Sequence, residues 1–275
     1  MKTFIKWPGN KSKHLRHILP LVPEFTGRYI EPFVGSGALF LKLEPEKWII
    51  NDLNKDVIGM YKLVRDYPEL IVDEFMEFGK MFVGMSHTEK NKSCKKLTSG
   101  LDEMEYDKYR SCTYLLLLQC AYYPNLIIKG EFKFHGIGPN ILRGLYAFLN
   151  DRFFINIQNS SDFLNSKSGK IYNQDYKKIL KKCKEGDFVF LDPPYIESHD
   201  YRFKYNKGEV LDQEFLDTLV LQCHSLTARN VKWLMTQADT PQVREAFQDY
   251  TITHFEAFRL AKKESVKELI ITNYA

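Results

Sequence analysis

The chain is poor in the residues that staple or anchor a protein. It has five cysteines in 275 residues: Cys94, Cys112, Cys120, Cys183 and Cys223. The number is odd and no C-x-x-C pair occurs, which excludes a disulfide framework and a cysteine zinc site and points to reduced thiols in a cytoplasm. Long apolar runs are missing. Leu115 to Leu118 is the longest leucine run, far too short to span a bilayer. The N-terminus lacks the pattern of a signal peptide. Histidine is sparse, and the closest pair, His14 and His17, has no other ligand-rich cluster beside it, so no metal is assigned. Charge of one sign is not dominant: the formal net charge is +4 and the pI about 8.6, compatible with a polyanionic partner without requiring one. There is no repeat and no low-complexity tract. With 44% hydrophobic and 27% charged residues, the chain suits one large α/β domain or one domain with an insertion.

What is present is organised around Asp192-Pro193-Pro194-Tyr195. The preceding Asp187-Phe188-Val189-Phe190-Leu191 reads as an interior strand of a parallel sheet. Its carboxyl end is where ligands of open α/β sheets bind. Two prolines fix φ at consecutive positions and bring no N–H, so the carbonyls there are rigidly aimed and free to accept. A carboxylate, a carbonyl and an aromatic ring within four residues could grip a planar group bearing an amine; an ordinary turn after a strand is the alternative.

Earlier in the chain, Lys6-Trp7-Pro8-Gly9-Asn10-Lys11 reads as a loop before a helix from Ser12, its N-cap, to Leu19. For Trp7, ligand contact and core packing both stay open. Tyr29 to Val34 reads as the first strand and runs through Gly35-Ser36-Gly37 into a helix at Ala38. Strand, glycine turn and helix form the layout of a nucleotide-type site. The third glycine of the dinucleotide fingerprint is missing, since Phe40 stands there. Trp48 to Asn51 is the second strand. Asp52 follows it, seventeen positions after Gly35; ribose binding is preferred over a helix N-cap for this acid. From about Arg65 to Asn150 the βαβ rhythm stops. This stretch predicts charged helices, a lysine-rich loop at Lys90, Lys92, Lys95 and Lys96, a helix over Asp102–Tyr122, and a hairpin around Lys129-Gly130 whose interleaved Lys, Tyr and Phe suit nucleic acid, although on that segment alone a solvated cap on the core is slightly preferred. The sheet pattern resumes with a strand over Phe153–Gln158, then Ser161-Asp162-Phe163. A helix over Asp175–Cys183 leads to the strand before Asp192. Residues 196–208, with His199, Tyr201, Arg202 and Tyr205, read as a lid. Helices over Asp212–Thr227 and Pro241–Phe247 and strands at Val231–Met235, Ile252–Phe255 and Glu268–Thr272 complete seven strands. The basic loop Arg259 to Lys263 separates the last two.

Six of these fragments, in order, resemble the Dam family of DNA adenine methyltransferases (D12 class). They are Phe4 to Lys11, Tyr29 to Phe40 (YIEPFVGSGALF), Asn51 to Asp56, Lys129 to Phe132, Asp192 to Tyr195, and Val266 to Tyr274. The chain departs from the family pattern at Asn10, where a second glycine is usual, and at Asn125, where a guanine-reading arginine is usual. Asparagine pairs better with adenine edges, so the family's frequent GATC target is only the leading guess.

On this resemblance the fold is α/β: a Rossmann-like class I methyltransferase with a seven-stranded mixed sheet and helices on both faces. Residues 1–64 and 151–275 would form the S-adenosyl-L-methionine-binding catalytic domain. Residues 65–150 would form an inserted, mostly helical target-recognition domain with a β-hairpin. The resemblance implies a site-specific enzyme that methylates N6 of an adenine flipped out of double-stranded DNA. It assigns Trp7, Lys11, Phe33, Gly35, Gly37, Asp52 and Asp192 to the cofactor pocket, with Asp162 on the cofactor's adenine amine and Phe163 against its ring. Asp192, Pro193, Pro194 and Tyr195 would be catalytic. Lys6, Asn125, Lys129, Arg259, Lys262 and Lys263 would contact DNA. A cognate restriction endonuclease, a monomer or weak dimer, and a nucleoid location in a bacterium, or a phage origin, complete the expectation. Cytosine-N4 or RNA adenine methylation are the rival activities. A DNA-binding protein without catalysis is the rival from another class.

Overall fold

The structure is a computed structural model, described over residues 1–121, 127–128, 131–132, 136, 151–196, 213–259 and 264–275; residues 127–128, 131–132, 258–259 and 264 are described by backbone alone. Seven strands form one sheet: β1 (Tyr29–Glu31), β2 (Lys47–Asn51), β5 (Ser168–Tyr172), β6 (Phe188–Leu191), β7 (Lys232–Ala238), β8 (Thr251–Arg259) and β9 (Glu264–Thr272). Their spatial order is β5-β2-β1-β6-β7-β9-β8. The first five neighbours are parallel, while β9 runs antiparallel to both β7 and β8. Two further strands, β3 (Ile127–Ile128) and β4 (Glu131–Phe132), pair antiparallel as the expected hairpin.

Alternation along the strands explains why both faces of the sheet are covered. Tyr29, Trp48, Phe188, Phe190 and Leu234 point into one apolar cluster, and their neighbours Ile30, Ile49, Val189, Leu191 and Met235 point into another. The first cluster is capped by α2 (Ala38–Leu43), α3 (Lys55–Asp66) and α7 (Asp151–Ser166). It continues into α4 (Pro68–Phe82), α5 (His87–Gly100) and α6 (Lys108–Cys120). The second is capped by α8 (Tyr176–Leu180), α9 (Gln213–Ala228) and α10 (Pro241–Ala246). Helix α6 is buried nearly all round, Leu115 to Leu118 included, and it buries the polar side chains of Arg110, Ser111 and Gln119 with them. A short α1 (Leu15–Ile18) precedes β1. All five cysteines are buried free thiols. No helix among the described residues is long and apolar enough to cross a membrane.

Several boundaries differ from expectation. The run Phe153 to Gln158 is not a strand but part of α7. Ile157, Ser160, Ser161 and Leu164 are buried at three- and four-residue spacing there, so helical packing overrides the apparent alternation. The third strand of the parallel run is instead β5, whose sequence SGKIY is too polar to announce itself. Before α1, the chain makes a 3-10 turn capped by Asn10, whose side chain accepts from the Ser12 N–H at 2.8 Å, so Ser12 is not the N-cap. The lysine-rich stretch is helix α5, started by a Ser86/Glu89 capping box. Helix α6 begins at Lys108 rather than Asp102, because Asp107 caps it by accepting from the Arg110 N–H. The expected lid residues His199, Tyr201, Arg202 and Tyr205 lie outside the described residues.

Strand β5 reaches β2 closely because Gly169 faces the Trp48 indole, which a methyl group at 169 would overlap. Gly169→Ala is expected to destabilise the fold by about 1–3 kcal/mol through overpacking. Thermal unfolding checks it: an unchanged melting temperature would mean that Trp48 has room to move.

Candidate active site

The carboxyl edge of the parallel strands gathers the polar groups. At the end of β1 the chain turns through Pro32, which cannot continue the ladder. Val34 then returns a hydrogen bond to the Asn51 carbonyl at 2.8 Å. Gly35 and Gly37 adopt φ +44° and +63°, the left-handed region that glycine takes at least cost. Gly37 then serves as the N-cap of α2. Each glycine is also closely covered. A Cβ on Gly35 would stand 2.8 Å from Trp7 Cδ1, and one on Gly37 would overlap the Tyr61 hydroxyl.

The end of β2 supplies two staples. Asn51 donates to the carbonyls of Pro32 and Gln174, both at 2.9 Å, and accepts from the Gln174 N–H, tying the turn after β1 to the turn after β5. Asp52 accepts from the Gly35 N–H at 3.0 Å and the Asn54 N–H at 2.9 Å. It is therefore not the N-cap of α3; Asn54 is, accepting from Asp56 and Val57. Burial pushes the Asp52 carboxyl up to about 6, against the N–H groups of Asn54, Gly35 and Leu53 that favour its charge. The turn after β5 carries Asp175, which caps α8, and Tyr176, whose ring centre lies 4.9 Å from that of Phe33.

The end of β6 carries the tetrapeptide. Lys11 is only 5% exposed, and its ammonium reaches Asp192 Oδ1 at 2.7 Å and Oδ2 at 2.9 Å. It also donates to the Gly9 carbonyl at 3.0 Å and lies 4.8 Å from the centre of the Tyr195 ring. Thr236 of β7 donates to Asp192 Oδ1 at 2.6 Å. Burial holds the Asp192 carboxyl above the usual carboxylate range, with the Lys11 charge and the bonds from Lys11 and Thr236 pulling the other way. Gln237 of β7 donates to the Pro194 carbonyl at 3.3 Å and accepts from the Ile196 N–H at 2.9 Å. The Pro193 carbonyl receives no hydrogen bond from the described residues. Behind this corner Glu31 is buried, accepting from the Tyr29 hydroxyl at 2.6 Å. Desolvation raises its carboxyl well above the ordinary value.

Trp7, Lys11, Gly35, Asp52, Asp192 and Tyr195 thus meet at one edge, with Phe33 and Gly37 alongside. Asp162 and Phe163 do not join them. Both sit on α7, where Asp162 is exposed and accepts from Gln158 at 2.9 Å, while Phe163 packs on Phe40 and Trp48 in the core. The misplacement follows from the false strand at Phe153. The polar turn Asn173-Gln174-Asp175 after Ile171-Tyr172 was the signal for the true strand end. Lys6 donates to the Gln119 carbonyl at 2.7 Å, and desolvation lowers its pKa. His14 and His17 pack on Phe255. Asn125, Lys129, Lys262 and Lys263 lie outside the described residues, and Arg259 is described by backbone alone. Sequence reasoning gave no role to Thr236, Gln237 and Glu268, although polar residues inside otherwise apolar strands were visible there.

The edge gathers a carboxylate, a carbonyl that the described residues leave unbonded, and an aromatic ring at the end of one strand, beside a glycine turn and a strand-end acid, a set of groups that could hold a planar group bearing an amine. Comparison with known proteins agrees. The chain is 29% identical to the Type II methyltransferase M1.LlaDCHI of Lactococcus lactis subsp. cremoris, over 100% of this chain and 96% of that one. It is 25% identical to the Type II methyltransferase M.MjaIII of Methanocaldococcus jannaschii, over 100% and 99%. It is 26% identical to the DNA adenine methylase of Serratia marcescens, over 90% and 87%. The family profile of the D12 class N6 adenine-specific DNA methyltransferases matches residues 7–260. The chain therefore belongs to that family, and it is an enzyme that methylates N6 of adenine in DNA.

Proposed function

We propose that the methyl donor is S-adenosyl-L-methionine and that the target adenine is extruded from duplex DNA into the corner at Asp192. One observation carries the second point: the corner already takes a nitrogen donor. The Lys11 ammonium is bonded to both Asp192 oxygens and lies against the Tyr195 ring, in the relation that an exocyclic amine of a stacked base would adopt.

The residues fit the donor. Gly35 and Gly37 present backbone without Cβ, and Trp7 lies along Gly35. The Asp52 carboxylate accepts two hydrogen bonds and keeps acceptor capacity for ribose hydroxyls. Asp175 and Tyr176, with Phe33, take the place first given to Asp162 and Phe163, as acceptor and aromatic wall for the adenine ring. Bound there, the donor supplies an electrophilic methyl group on a sulfonium. Everything else falls to the chain. The adenine amine is a poor nucleophile because its lone pair is delocalised into the ring. Asp192 and the Pro193 carbonyl accept its two hydrogens and favour a tetrahedral nitrogen, while Tyr195 stacks on the base. Asp192 does not remove a proton first, since a neutral aryl amine is far too weak an acid. It stabilises the positive charge as that grows on nitrogen, while the electron pair of the broken methyl–sulfur bond would leave with the neutral thioether, and it is placed to take the proton that the methylated nitrogen then sheds. Residues 65–150 serve as the recognition segment, Asn125 and Lys129 contact bases, and Lys6, Arg259, Lys262 and Lys263 contact bases or phosphates. GATC is the recognition sequence to test first. Two relatives are named Type II methyltransferases, which supports a cognate endonuclease.

Calorimetric titration with S-adenosyl-L-methionine across pH tests the donor assignment. A protonated Asp52 is a poorer acceptor for ribose hydroxyls, and its carboxyl titrates at about 6. Affinity is therefore expected to be flat above that pH and to weaken below it, by roughly tenfold per pH unit when one proton must leave. Asp52→Asn should lose both the pH dependence and most of the affinity. Wild-type affinity in that variant would remove Asp52 from the cofactor pocket.

A further inference from the structure

The far end of Tyr195 is anchored as firmly as its backbone. Its hydroxyl donates to Glu268 Oε2 at 2.7 Å. Glu268 lies on β9, opposite Ala238 of β7 and Phe255 of β8, and is 7% exposed. A carboxylate on an interior strand carries a desolvation cost that packing alone does not explain. The neighbouring strand holds the other end of the tyrosine. Gln237 is fully buried, donates to the Pro194 carbonyl and accepts from the Ile196 N–H. The backbone is therefore pinned on both sides of residue 195. With its backbone and its hydroxyl both held, the direction of the ring axis is fixed, and the preference of a phenolic O–H for the ring plane biases the remaining rotation about that axis.

We infer that Glu268 is a positioning residue: through the Tyr195 hydroxyl it holds the ring in the place that receives the extruded base, before the base arrives. The inference rests on the reading of Tyr195 as the stacking partner. The same carboxylate lies close enough to Asp192 to push its carboxyl up slightly, by less than burial does and by less than Lys11 and Thr236 pull it down. Lys11, bonded to Asp192 and set over the Tyr195 ring, offsets the charge of Asp192. Preorganisation of this kind acts on capture and orientation of the base, not on the methyl donor.

The test is a mutant cycle on kcat/KM for a duplex carrying the mapped site. Tyr195→Phe and Glu268→Ala are each expected to lower kcat/KM by roughly ten- to a hundredfold, the usual range for a hydrogen bond to a charged group. The double variant should be no worse than Tyr195→Phe within about threefold, because that change already removes the bond to Glu268. Glu268→Gln keeps an acceptor and should recover most of the loss, and cofactor affinity should not move. Fluorescence of 2-aminopurine at the target position should be quenched less in Tyr195→Phe and Glu268→Ala than in the wild type. Should Glu268→Ala fail to fold, Glu268→Gln must be neutral in the Tyr195→Phe background. Losses that multiply, or a Glu268→Gln variant as weak as Glu268→Ala, overturn the inference. Tyr195→Ala separates the two readings: wild-type kinetics there sink the stacking role itself. A collapse there beside multiplying losses sinks only the part given to Glu268.

Discussion

Asp192→Asn is expected to slow methyl transfer by roughly a hundred- to a thousandfold or more, the range seen when one preorganised electrostatic partner is taken from a developing charge. Asparagine keeps the size and one acceptor oxygen but turns an N–H2 group toward the target amine and removes the negative charge. The loss should fall on kcat, because the missing interaction is made mainly as charge grows on nitrogen. Cofactor affinity should stay within a few-fold. Asparagine is the better probe than alanine, since alanine would leave the 5%-exposed Lys11 facing an empty corner. The pH profile carries a second signature. Burial raises the Asp192 carboxyl above the ordinary range, so activity should fall on the acid side at a higher pH than for a solvated carboxylate. With the methyl donor kept saturating, so that the Asp52 effect on its binding is silent, that acid limb should vanish from the residual activity of Asp192→Asn. Single-turnover transfer of labelled methyl measures both, and a variant within tenfold of the wild type would remove Asp192 from the chemistry.

Asp187→Ala is the largest expected change in stability, about 3–5 kcal/mol, because it leaves several donors around one buried acceptor unsatisfied at once. Asp187 sits at the opposite end of β6 from the tetrapeptide, with a side chain that is 0% exposed. It accepts from the Arg28 N–H at 2.8 Å, from Arg28 Nη2 at 2.6 Å and Nε at 3.2 Å, and from the Lys184 N–H at 3.0 Å. Alanine would leave these donors without their acceptor and Arg28 without its counter-charge. Burial alone would raise the Asp187 carboxyl; the Arg28 and Lys184 bonds outweigh it, and the group ends below its ordinary value. Its stabilisation is therefore present above the ordinary carboxylate pKa and is lost as pH falls through the depressed one. The melting temperature should drop by about 6–20 °C at neutral pH. Transfer activity per folded molecule at low temperature should be unchanged, because the pair lies at the far edge of the sheet. A drop of less than about 2 °C would show that the cluster is dispensable.

The parts of this protein that could be read from sequence are those where local chemistry and burial agree. The run FVFL at β6 is apolar at every position because both sheet faces are covered, and all four residues are buried. Proline after Glu31 and glycines at 35 and 37 announce a turn that only such residues make cheaply. The failures share one cause: tertiary contacts outweighed a local pattern. Phe153 to Gln158 alternates like a strand, yet its burial follows helical spacing in α7. That one error carried Asp162 and Phe163 into the cofactor site. Strand β5 is half-polar and contains Gly169, which is there for Trp48 to pack against and not for strand propensity. Thr236, Gln237 and Glu268 were hidden for a different reason. Their partners are 41 or more positions away in sequence, and nothing local says that a polar residue inside a strand faces a turn on its neighbour.

The most direct test of the account is a crystal structure of the protein with a non-transferring analogue of the methyl donor and a duplex carrying the mapped site. The account predicts the target adenine outside the helix, its amine between Asp192 and the Pro193 carbonyl, its ring against Tyr195, and Lys11 displaced from at least one Asp192 oxygen. A base that stays stacked in a fully seated complex, or one held with its amine away from Asp192, would contradict it.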